Sequence, residues 1–141
     1  MWPAQFTERL RRWNDLRRLC QSDELSGSLE RINQWWMNTP WTAYYLHWDD
    51  LDRWPNPWQL LSDNIYCDLA RSLGIVYTLL MIERPDVVDI AITETDRGNL
   101  VQVNGGKYIL NWSPEHVLNI QLTEFTVKKS LDSSRLIHLL G

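Results

Sequence analysis

Apolar residues in the first twenty positions recur at steps of three and four: Phe6, Leu10, Trp13, Leu16 and Leu19. That spacing predicts an amphipathic helix over residues 4–20, with the arginines on its other side. The polar run QSDELSGS interrupts it, and a second, shorter helix carries Leu29, Ile32 and Trp36 until Thr39, which the following Pro40 disfavours as helix. Residues 40–58, PWTAYYLHWDDLDRWPNPW, mix turn formers with aromatics and predict an irregular connection with a helical turn at 49–53. Pro57 then suits the first position of a third helix over residues 58–73, where Leu61, Ile65, Leu69 and Leu73 form a stripe and Gly74 supplies a stop.

Beyond Gly74 the period changes. The short run IVYTLLMIE, rich in β-branched and aromatic residues at its start, predicts a buried strand. Residues 87–95 alternate, with Val88, Ile90 and Ile92 on one face and Asp89, Ala91 and Thr93 on the other. Asn104, Gly105 and Gly106 separate residues 100–103 from 108–112 as a tight hairpin does. A last strand is expected over 117–127, before a tail whose Leu136, Ile137, Leu139 and Leu140 must pack somewhere. The fold class expected is α+β: N-terminal helices, then a small antiparallel sheet packed on the central helix.

With 141 residues the chain suits one domain, 1–141, comprising a tryptophan-rich half (1–57) and a helix-plus-sheet half (58–141). Its 44% hydrophobic and 23% charged residues are those of a folding chain. The longest apolar stretch is too short to span a bilayer and no signal segment opens the chain, so neither a membrane nor secretion is expected. A net charge of −4 argues against nucleic acid. The exception is ERLRRWNDLRR, whose five arginines face only Glu8 and Asp15; it reads either as a solvated helix face or as a surface for an acidic partner or a nucleic acid. Eight of the nine tryptophans lie in the first 58 residues. Such a surplus serves an aromatic core corner or a binding face.

The chemical inventory is thin. Cys20 and Cys67 have no metal-ligand spacing, so free thiols are expected; the histidines are His47, His116 and His138. Cys67, near the N-terminal half of the expected third helix, is either a nucleophile or a small buried residue. Asp49, Asp50 and Asp52 read as capping and solvated carboxylates or as a catalytic or metal cluster, and no phosphate loop occurs. No cofactor, metal or small-molecule substrate is expected.

The order of a cysteine-bearing helix, a strand beginning at Gly74 and Ile75, and the hairpin NLVQVNGGKYILNWSP resembles the transglutaminase-like, papain-related cysteine peptidases over residues 58–114. The resemblance implies Cys67 as nucleophile, a histidine near Gly98 or Asn99 and an aspartate near Asn111. Neither candidate position holds a histidine, which implies a scaffold without a general base. The tryptophan content, the WPNPW turn and the α-then-β order also resemble small tailed-bacteriophage structural proteins of the neck, tail or baseplate. The function expected is therefore non-enzymatic: a virion component, assembled in the host cytoplasm, that docks to other protein subunits. Its docking residues would be Trp2, Arg9, Arg12, Trp13, Arg17, Trp35, Trp36, Trp41, Leu136 and Leu139. The alternatives are a cysteine hydrolase or transferase using Cys67 with His116 or His47, and a carbohydrate- or peptide-binding module.

Overall fold

A computed structural model describes residues 2–118 and 125–140. Helix α1 (Phe6–Ser22) buries Arg9, Trp13 and Cys20, and α2 (Leu25–Met37) buries Leu29, Ile32 and Trp36 beside it. The connection that follows is irregular as expected, with a kinked 3-10 helix at Trp48–Arg53. Asn56 then opens α3 (Pro57–Asp63) through a capping box in which its side chain accepts from Gln59 N–H and the Gln59 side chain accepts from Asn56 N–H.

Two boundaries differ from the sequence reading. The expected third helix is broken: Asn64 adopts the left-handed conformation, Tyr66 bridges to Trp41, and a new helix α4 (Asp68–Ile82) starts after Cys67. That helix passes straight through Gly74 and takes in the segment expected as a strand. Apolar residues line almost all of its circumference because it is packed between α1 and α2 on one side and the sheet on the other. Gly74 is there for contact rather than as a stop. A Cβ at this position would lie 2.4 Å from the Trp36 ring, so α2 can approach the α4 backbone only over glycine.

The sheet comprises β1 (Ile90–Thr95), β2 (Gly98–Val103), β3 (Tyr108–Leu110) and β4 (Val127–Asp132), antiparallel in the order β3-β2-β1-β4. The expected hairpin is β2–β3, turning through Asn104, Gly105 and Gly106, all at positive φ. Of the strand expected over 117–127, Leu118 bridges to Ile109 and residues 119–124 lie outside the described residues. The C-terminal 3-10 helix (Ser133–Leu140) returns to pack on α4, with Leu136 fully buried. Among the described residues no helix is long and apolar enough to cross a membrane.

Candidate functional site

Trp41 and Tyr66 pair locally like short parallel strands: Tyr66 N–H donates to Pro40 O and Thr42 N–H to Tyr66 O, both at 3.0 Å. This bridge fixes where the chain enters α4, and the residue after Tyr66 is Cys67, the N-cap. Its Sγ accepts a hydrogen bond from Leu46 N–H at 3.4 Å and, although only 2% exposed, lines a cleft of about 270 Å³. The walls also include the exposed His47, with Trp48, Asn99, Glu94 and Lys129. His47 stacks on Tyr44, their ring centroids 6.2 Å apart.

The amide positions singled out by sequence are brought together here. Asn99 opens β2 beside α4: its N–H and Nδ2 donate to the two Asp68 carboxylate oxygens at 2.8 and 3.1 Å, and its Oδ1 accepts from Trp48 Nε1 at 2.8 Å. Gly98 precedes it, and a Cβ there would meet the same carboxylate at 2.9 Å. Asn111, just beyond β3 and left-handed at φ 67°, donates through Nδ2 to Asp68 O, Ser72 Oγ and Asn99 O. Asn99 therefore lines the thiol's cleft, and Asn111 locks it from behind through its backbone. Neither amide can take up a proton at neutral pH.

His116 and His138 are exposed and do not line this cleft. Cys20 faces the interior of α1, where burial pushes its thiol above the usual range. Asp49 lines the cleft, 3.8 Å from Lys129, while Asp50 and Asp52 face solvent. Among the described residues no three His, Cys, Asp or Glu side chains gather as a metal site requires.

Most of the residues expected to dock partners are occupied within this chain. Trp13 and Trp36 are buried and both donate to Thr78 Oγ1 at 2.9 Å. Arg9 is buried, with its guanidinium donating to the carbonyls of Leu61, Pro3 and Ala4. Arg17 lies over the Trp13 ring, and Leu136 is interior with Leu139 packed beside the core. Trp13, Trp36, Arg9 and Leu136 are thus buried within this chain, while Arg17 and Leu139 keep partly exposed surface. Trp2, Trp35 and Arg12 remain half-exposed or exposed around a separate cleft, and Trp41 is 61% exposed. Trp13, Trp36 and Trp54 join the same buried cluster as α4 and the sheet.

No family model and no curated protein matches the chain. Two solved structures do: Legionella pneumophila LapG treated with EGTA, with a TM-score of 0.74 at 13% identity over 94% of this chain and 76% of that one, and Legionella pneumophila LapG, with a TM-score of 0.72 at 14% identity over 96% and 86%. LapG is a transglutaminase-like cysteine protease, and the fold described above is transglutaminase-like. This finding overturns the expectation of a non-enzymatic virion component. The shared fold is the transglutaminase-like fold of LapG, the thiol stands at a helix start in a cleft with an imidazole, and nothing in the comparisons supports a phage particle.

Proposed function

We propose that the protein is a thiol hydrolase or acyltransferase acting on amide carbonyls, with Cys67 as nucleophile and His47 as proton acceptor. The observation that carries this reading is the one cleft lined by both residues, with the sulfur at the start of α4. Leu46 N–H and the helix N-terminus both present positive potential to that sulfur. Asn99, where the resemblance expects the imidazole, is engaged by Trp48 and Asp68, so the exchangeable proton site comes instead from the loop before the 3-10 helix.

In this reaction Sγ bonds to the substrate carbonyl carbon and its proton passes to His47. The imidazolium returns that proton to the departing amine as the C–N bond breaks. Water or an acceptor amine then opens the thioester, and its proton restores the thiol.

Iodoacetamide labelling with peptide mass mapping tests the nucleophile: at neutral pH Cys67 should alkylate roughly tenfold faster than the buried, desolvated Cys20. Turnover of a peptide p-nitroanilide should vanish in Cys67→Ala and fall roughly a hundredfold in His47→Ala. A Cys67 that labels no faster than Cys20, or a rate indifferent to His47→Ala, overturns the assignment.

A further inference from the structure

A second cleft lies away from the thiol, where the N-terminal segment meets α1 and α2. It has a volume of about 680 Å³, enough for several side chains of a ligand. The indoles of Trp2 and Trp35 form its apolar wall, ring centroids 4.5 Å apart, and Trp2 is pinned by its Nε1 donating to Asn64 Oδ1. Arg12 of α1 and Arg31 of α2 also line it, with side chains 47% and 48% exposed. No acidic residue is among its lining side chains, in a chain whose net charge is −4. Arg12 is ion-paired with Glu8 and Arg31 with Asp23, but surface pairs of this kind are weak and exchange readily for a ligand carboxylate.

The floor of this cleft continues toward the thiol. Thr39 and Pro40 line this cleft and Ala43 lines the thiol's, so the backbone between Pro40 and Ala43 spans at most about 11 Å. That stretch is held against Tyr66 by the two hydrogen bonds described above, and its middle residue, Trp41, is exposed. An extended peptide would cover the same distance in roughly three or four residues.

We infer that the Trp2–Trp35–Arg12–Arg31 cleft binds an acidic peptide segment, with its carboxylates on the two guanidiniums and its aliphatic parts on the indoles. That such a segment would belong to the substrate offered to Cys67 rests on the catalytic reading; the binding itself does not. The site thus selects peptides by charge before any bond is broken.

The test measures binding without turnover. A short fluorescein-labelled peptide of alternating Glu and Ala is titrated against Cys67→Ala protein, in parallel with the same peptide bearing Gln in place of Glu. The Glu peptide should bind roughly tenfold more tightly, and the preference should shrink with added salt. The double variant Arg12→Gln/Arg31→Gln should erase the preference while circular dichroism and the melting temperature hold. Equal affinity for the two peptides overturns the inference, as does an undiminished preference in the double variant or equal competition by an oligogalacturonate. Should the double variant not fold, the Glu-against-Gln comparison decides alone. Charge-selective binding with no turnover by the unmutated protein counts against the role of Cys67 and leaves the cleft's assignment standing.

Discussion

Thr78 shows how much one side chain can hold. Its Oγ1 accepts the indole N–H groups of Trp13 and Trp36 at 2.9 Å each and donates to Gly74 O at 2.8 Å, all in the interior. Thr78→Val keeps the shape and removes the acceptor, leaving two buried donors unpaired at about 1–3 kcal/mol each. Urea unfolding should show a loss of about 3 kcal/mol, whereas Thr78→Ser, which forfeits only a methyl, should lose about 1 kcal/mol. This arrangement was not legible in the sequence. The tryptophan surplus pointed to a partner because the acceptor that satisfies two of the indoles stands 65 and 42 residues away from them. Local pattern records amphipathicity, and it is silent about which distant hydroxyl a buried N–H will find.

Among the elements, those governed by local chemistry were readable: α1 by its periodicity, the start of α3 by Pro57, the β2–β3 hairpin by Asn104, Gly105 and Gly106. The two α4 errors have separate causes. A helix buried on every side loses the polar stripe that distinguishes it from a strand, and Ile65 completed a four-step stripe although it lies in the break and is 48% exposed. The misplaced boundary matters for chemistry, because the true start of α4 is what sets Cys67 at an N-cap. The loop opposite is tied down from the same helix: Arg71 Nε donates to Thr39 Oγ1 at 2.9 Å and Nη2 to Thr39 O at 2.7 Å. Arg71→Ala should free residues 39–47, seen as faster amide hydrogen exchange there and faster alkylation of Cys67. Slower exchange, or exchange unchanged from the unmutated protein, would show that the Trp41–Tyr66 bridge alone fixes the loop.

For the molecule as a whole, the buried hydroxyls and thiol set a direction of pH dependence. Desolvation raises the Tyr66 and Tyr77 phenols, whose hydroxyls donate to Leu60 O and Pro55 O, and raises the Cys20 thiol too. The folded chain keeps these protons at pH values where the unfolded chain gives them up, so stability is full below the ordinary thiol and phenol values and declines above them. The melting temperature should hold to about pH 8 and fall progressively toward about pH 11, with a shallower fall in Tyr77→Phe. On the acid side, hydrogen bonds from Arg11 and Arg12 hold the Glu8 carboxyl down at about 2, but that carboxyl is solvent-exposed and screened. The site was legible in part at this scale. Cys67, Asn99 and Asn111 were placed by the order of elements, while the charge-lined cleft needs α1, α2 and Pro40 to meet in space.

The unequal fate of the tryptophans also gives the protein an optical signature. Trp13 and Trp36 sit in a dry interior, whereas Trp41 stands 61% exposed between the two clefts. Emission excited in the indoles should therefore divide into a blue component that acrylamide cannot reach and a red component that it quenches. Trp41 sits on the backbone stretch joining the two clefts, so shielding of the red component would report a peptide laid along that stretch with no label attached.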